Sequence, residues 1–274
     1  MPKLPDNSLK LKVQNYRSEL WMPKTRPASL EEAVAWVEKM EMVFFWPIQG
    51  VEFPSLWQAV AHNRPVTYGD PANTTWDWKD RSLSMKVWYY AKLLRKKATF
   101  LSLKVMPSFY SLSNNLGDPE NDYLEQYRQG TLSMPAKKIY EVLLANGPLN
   151  TIDLKQKAQL ASAQAESEFN RAIEFLQADM KVIPSGIAQA GAWRYAFIYD
   201  LVPNQFPTLI DQCRYLEPAQ ARTQILRAYA RNVGAYTLPE ASKLLGWKKE
   251  DIQSTSDILI KEGFCVQENE QIIL

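Results

Sequence analysis

Apolar residues recur along this chain at two spacings, and the switch between them marks out its elements. "SLEEAVAWVEKM", from Ser29 to Met40, opens on a serine with a glutamate three residues later, the pattern in which a helix start is capped reciprocally. Ala33, Val37 and Met40 follow at helical spacing. "MVFFWPI" predicts a buried strand ended by Pro47, and "PSLWQAVAH" a helix with Pro54 at its first turn. From Leu83 to Lys96, the residues Leu83, Val87, Tyr90 and Leu94 fall on one stripe at about 100° per residue. That spacing predicts an amphipathic helix with Trp88, Lys92, Arg95 and Lys96 on its opposite side and Tyr89 at the border. "ATFLSLKV" alternates as a strand, and "PSFYSLS" and "PENDYLEQYRQG" read as further helices before Gly130.

Two later segments repeat one order. In the first, "SMPAKKIYEVLLANG" is a helix stopped by glycine, followed by the helices "NTIDLKQKAQL" and "AQAESEFNRAIEFLQADM", then the strands "KVIPSGI" and "WRYAFIYDL". In the second, "PAQARTQILRAYARNVG", "LPEASKLLGW" and "KEDIQSTSDILIKEG" are again three helices, followed by "FCVQ", a polar turn and "QIIL". Three helices and a hairpin make a winged helix. The expected fold is therefore mainly α with small β-hairpins, built of tandem winged-helix modules. The expected divisions are an N-terminal arm at 1–28, an N-terminal basic domain at 29–130, a winged helix at 131–210 and a C-terminal winged helix at 211–274. The N-terminal domain would be a third, diverged copy if it shares the pattern. The arm is polar, carries four prolines and shows no period, so it is expected to pack on the surface or stay mobile.

A chain of 274 residues suits two or three such modules. With 46% hydrophobic and 23% charged residues the composition is that of a soluble globular protein. No apolar run approaches the roughly 18–20 residues of a membrane span, and the first residues lack a signal-peptide centre, so a cytoplasmic location is expected. Cys213 and Cys265 are far apart, and His62 is the only histidine. They suggest neither a metal site nor a catalytic triad. The phosphate-cradling glycine motifs are absent, and no cofactor is expected.

Charge is uneven. Residues 1–104 hold 16 Lys/Arg against 10 Asp/Glu, and within 79–97 seven cations face one acid. A localised basic stripe suggests a polyanion partner. On the expected helix, Lys79, Arg81, Lys92, Arg95 and Lys96 interleaved with Trp88 suit phosphate neutralisation with stacking on an exposed base; a solvated helix whose aromatics pack on a neighbouring domain is the alternative. The third helix of the first repeat carries Glu166, Glu168, Glu174 and Asp179 against Arg171, a poor match to phosphate. At the tip of the wing that follows, Trp193 and Arg194 could reach DNA, or could cap an apolar face with the guanidinium snorkelling outward.

The winged-helix repeats together with "IQGVEFPSLWQAVAHNR", "WDWKD", "WYYAKLL", "ATFLSL" and "AGAWRYAFIYDL" resemble the AlkZ-related proteins, cousins of the AlkZ/YcaQ winged-helix DNA glycosylases. The resemblance runs from about residue 29 onward. It implies tandem winged helices around a DNA-binding channel, damaged or distorted duplex as partner, and excision of alkylated or crosslinked bases as the activity to test. The glycosylases carry Gln-x-Gln or Gln-x-Asp to position water. Here Gln49, Gly50 and Val51 supply the first place and not the second. Candidate catalytic groups are thus Gln49, the neighbouring Glu52, and Asp80 of "WDWKD", with Asp77 beside it. In "WDWKD" a capped turn with core tryptophans is the competing reading. The alternative function is a non-catalytic DNA-binding, regulatory or interaction module; oligomeric state is left open.

Overall fold

Short polar side chains start the helices of this chain and glycines stop several of them. Ser29, Ser55, Ser133 and Thr237 accept from the backbone N–H of Glu32, Gln58, Ala136 and Glu240, and Asn150 accepts from Ile152 and Asp153. Among the described residues, the reciprocal capping box is formed by Thr237 and Glu240. Glu32 instead reaches the N–H of Ala28, at 2.8 Å.

The fold comes from a computed structural model that describes residues 7–115, 117–191 and 193–274. After α1 (Asn7–Trp21), a first block contains α2 (Leu30–Met40), β1 (Met42–Phe44), α3 (Leu56–Ala61), α4 (Thr74–Ser82), β2 (Tyr89–Lys92) and β3 (Ala98–Leu101). Helices α5 (Met106–Ser111) and α6 (Asp122–Arg128) lead to a second block. It comprises α7 (Met134–Asn146), β4 (Leu149–Asn150), α8 (Thr151–Lys157), α9 (Glu166–Ala178), β5 (Val182–Ala188) and β6 (Ala196–Leu201). Short helices α10 (Val202–Gln205) and α11 (Leu209–Cys213) connect to a third. That block holds α12 (Pro218–Val233), β7 (Ala235–Thr237), α13 (Leu238–Leu245), α14 (Lys249–Lys261), β8 (Val266–Glu268) and β9 (Gln271–Ile273).

Each block closes on an antiparallel three-stranded sheet, and the orders β1-β3-β2, β4-β6-β5 and β7-β9-β8 are the same order. The first strand follows the first helix and pairs with the last strand of the hairpin. These are tandem winged-helix modules, and the first block shares their topology.

The expected helix at 83–96 does not form, and the reason lies in its aromatics. Lys86 takes a left-handed φ of 56°. From Tyr89 the burial alternates: Tyr89 and Ala91 are buried, Tyr90 is half-buried and Lys92 is exposed. That is the period of a strand, which suits consecutive aromatic residues, and Tyr89 and Ala91 pair with Leu101 and Thr99 of β3. "WDWKD" also differs from its expected turn, because it lies inside α4. Of the two tryptophans that the turn reading placed in the core, Trp78 is buried and Trp76 is exposed.

Helix α1 replaces the expected arm over residues 7–21, while residues 1–6 lie outside the described part. Its side chains serve the end of α12, whose last carbonyls have no partner within their own helix. Tyr16 Oη donates to Arg231 O (2.6 Å), the Trp21 indole to Asn232 O (2.7 Å), and Arg17 to Val233 O (2.8 Å) and Ala235 O (3.1 Å). The Arg17 cation also complements the negative end of the helix dipole. Gly234 makes this approach possible: its φ is +72°, and an added Cβ would lie 2.7 Å from the Tyr16 ring.

The Gly234→Ala variant is expected to lose about 1–2 kcal/mol from its left-handed backbone alone, before the clash with Tyr16. Urea unfolding should show that adding Tyr16→Ala costs less than the two single losses combined. Strict additivity would mean that ring and glycine do not meet.

Candidate nucleic-acid interface

The wing tip of the first block, residues 93–97, is held by its smallest polar group. Thr99 Oγ1 accepts from Leu94 N (3.2 Å) and donates to Lys97 O (2.8 Å), while Leu94 itself is buried. Leu93 N donates to Lys97 O, closing the loop. With Leu94 anchored inward, Arg95, Lys96 and Lys97 are all exposed. Arg95 and Lys96 adopt left-handed φ values of 50° and 57°, a conformation that side chains disfavour and that collects at functional loops.

The tip packs against α9 and α13, so its cations stand where the three blocks meet. On one side is a cleft of about 340 Å³ bordered by Arg95, Lys96, Lys243, Asn114, Asp179 and Trp247. On the other is one of about 270 Å³ bordered by Arg17, Gly50, Val51, Glu52, Arg95 and Lys243. Arg95 and Lys243 belong to both. Among the described residues, Arg95, Lys96, Lys97 and Lys243 take part in no ion pair. Glu240, which also borders the second cleft, is engaged in capping α13.

Gln49 lies on the turn after β1, exposed, with Gly50 at φ +71° and Val51 N donating to Ile48 O. Val51 is half-buried: it packs on the core and also borders the second cleft. Glu52 is 74% exposed and pairs with Arg17 at 3.3 Å. Glu52 thus follows the Gln49 turn directly and shares a cleft with Arg95, which Gln49 does not border.

The other expected site residues lie elsewhere. Lys79 is 1% exposed and Trp88 3%, so neither is placed to meet a ligand from solvent. Trp88 donates its indole N–H to Ser82 Oγ, the bond a buried indole needs. Lys79 pairs with Asp80 at 2.7 Å, and Asp80 also accepts from Tyr195 Oη at 2.8 Å. Asp80 is thus joined to the second wing and not to Gln49 and Glu52. Arg81 is exposed and pairs with Asp77 one turn away; Lys92 pairs with Glu174 of α9. Trp193, 91% exposed, and Arg194, at φ 50°, stand on the tip of the second wing.

Sequence reasoning missed Arg17, Lys97 and Lys243 as members of the basic surface. Lys97 was inside the basic window, but Arg17 and Lys243 had no local signal because other blocks bring them in. The acids of α9 are largely engaged within the fold: Glu166 pairs with Lys155, Glu174 with Lys92 and Asp179 with Lys181. His62 holds the N-terminal segment through Pro23 O and Arg26. Burial raises the Cys213 thiol to about 11, which keeps it protonated and unreactive. Among the described residues no group of three or more His, Cys, Asp or Glu could hold a metal, and no helix is long and apolar enough to cross a membrane.

Helix-strand order and shared sheet topology define a tandem winged-helix protein. The AlkZ related family matches residues 27–246, and the chain belongs to it. In fold it is similar to the DNA glycosylase AlkZ of Streptomyces sahachiroi, with a TM-score of 0.57 over 96% of this chain and 69% of that one, at 14% identity. Comparison with curated proteins finds no relative.

Replacing Arg95 and Lys96 together by glycine should leave thermal stability unchanged or raise it. Release of the left-handed backbone returns about 1–2 kcal/mol per residue, against roughly 0.5–1 kcal/mol of glycine entropy. A melting temperature several degrees lower would contradict the strain.

Proposed function

We propose that this protein binds DNA through the first wing tip, with the sugar-phosphate chain running across the two clefts that Arg95 and Lys243 join. The carrying observation is the tip itself: three consecutive exposed cations without ion pairs, set in a strained loop where three winged helices converge. Unpaired cations neutralise phosphate at no expense of existing salt bridges, and their counterion release makes binding strongly salt-dependent. Lys97, Arg17 and Lys243 join Arg95 and Lys96 on this surface; the exposed Trp193 and Arg194 offer a second contact. Family membership and the fold shared with a protein named as a DNA glycosylase support duplex DNA carrying an altered base as the ligand class.

A second reading, base excision, is favoured by one observation: Gln49 is exposed on the turn that also brings Glu52 to the Arg95 cleft. An amide can orient a water toward the sugar, and a carboxylate can stabilise positive charge developing there. Glu52 would have to leave Arg17, a separation that phosphate binding to Arg17 would assist.

Binding measured against salt tests the first reading. Each lost phosphate contact should flatten the log–log slope by about 0.9, so Arg95→Ala, Lys96→Ala and Lys97→Ala combined should flatten it by roughly two to three. A wild-type affinity insensitive to salt would remove nucleic acid as partner.

Excision is tested with DNA bearing alkylated purines and with crosslinked DNA, scoring abasic sites. Gln49→Ala and Glu52→Gln should each lower the rate by about 100-fold or more, whereas Asp80→Asn should leave the chemistry intact. Absence of abasic sites with the wild type would leave the binding role standing alone.

A further inference from the structure

The Lys79 ammonium is enclosed by aromatic rings drawn from two blocks. Its Nζ lies 4.3 Å from the ring centroid of Trp76, 5.0 Å from Phe197, 5.7 Å from Tyr90 and from Tyr195, and 5.8 Å from Phe45. Phe45, Trp76 and Tyr90 come from the first block; Tyr195 and Phe197 come from the second wing. Asp80 Oδ1 at 2.7 Å and Tyr195 Oη at 3.0 Å take up the polar directions, and Tyr195 in turn donates to Asp80 at 2.8 Å. Ammonium, phenol and carboxylate thus close a triangle, with π-faces on the remaining sides.

We propose that this box is an alkylammonium site filled by the protein's own lysine, and that Lys79 is the positioning residue that docks the second wing on the first block. Three features carry the proposal. A lone buried ammonium is strongly disfavoured, so a lysine 1% exposed persists only because rings and carboxylate are there to receive it. Aromatic boxes are the usual protein receptors for alkylammonium groups. An apolar filler would occupy the space without orienting a phenol, whereas the ammonium fixes the hydroxyl of Tyr195. Because Tyr195 directly follows Trp193 and Arg194 in the chain, that bond sets where the exposed ring and guanidinium stand. Burial holds the Lys79 pKa below its usual value, with Asp80 opposing the shift.

The test uses amide hydrogen exchange across residues 187–197 and requires no nucleic acid, so its outcome is independent of the DNA reading. Tyr195→Phe keeps every ring and the cation but removes the hydroxyl; it and Lys79→Met should each speed exchange in the wing at least tenfold, with the 93–97 loop unchanged. In Lys79→Ala, added ethylammonium should restore slow exchange and raise the melting temperature, while Lys79→Met and wild type should not respond. Unchanged wing exchange in Tyr195→Phe, or an ethylammonium response of equal size in the wild type, would overturn the proposal. Should Lys79→Ala fail to fold, Tyr195→Phe decides alone.

Discussion

The last turn of α12 is the constraint on which the arrangement of blocks depends. A helix ends with carbonyls that need partners, and a buried end needs them from the protein. Asn232, 1% exposed, gives its side-chain amide to Met42 O and its carbonyl to Trp21. One residue earlier, Arg231 reaches Glu41, a buried carboxylate that also holds Lys104 at 2.9 Å. The first and third blocks and α1 are therefore bonded at one place, and Phe53 stacks on Tyr229 of the same helix at 6.0 Å. Moving α12 would strip partners from all three.

The position of the basic wing tip follows from that junction. Strand β1, tied to Asn232, pairs with β3, and β3 pairs with β2. The loop between β2 and β3 is carried by this sheet to α9 and α13. Its register is set by residues that are not themselves charged: Leu94 turns inward, Thr99 ties both sides, and the next three positions are left outside. Lysine therefore meets two fates within the first block. At 96 and 97 the charge is solvated and unpaired; at 79 it is buried among rings and bonded to Asp80. The end of α4 and strand β2 lie between these lysines, and their surroundings assign one to the interior and the others to the surface.

Much of the fold was legible along the chain because helix ends announce themselves. Ser133, Asn150 and Thr237 preceded helical periods, glycines 147 and 234 stopped them, and the same order appeared twice. The segment 83–96 was not legible, since Leu83, Val87, Tyr90 and Leu94 satisfy a helical stripe while Tyr89 and Ala91 satisfy a strand. Only the partner, β3, decides between those periods. Helix α1 was hidden for a different reason: its apolar and polar residues form no clear stripe, and what holds it are side-chain donors matched to carbonyls more than 200 residues away. The candidate surface was read in part for the wrong structural reason. Arg95 and Lys96 stand outward on a wing instead of a helix, and Arg17 and Lys243 join them by tertiary packing that no local window contains.

At the turn after β1 the exposed Gln49 is followed two positions on by an apolar residue. Gly50 takes a φ of +71°, and Val51, half-buried, packs on the core and also borders the second cleft. A glutamine or aspartate at 51 would lose the apolar packing that Val51 makes on that core. Glu52, one step further, is the carboxylate that this segment brings to the cleft. Glu52 is bound to Arg17, and Arg17 is itself fixed on the end of α12 by two backbone carbonyls. An arginine so held cannot follow a departing carboxylate. If an anion takes over its free edge, Glu52 is set free at the cleft while Arg17 stays on the end of α12.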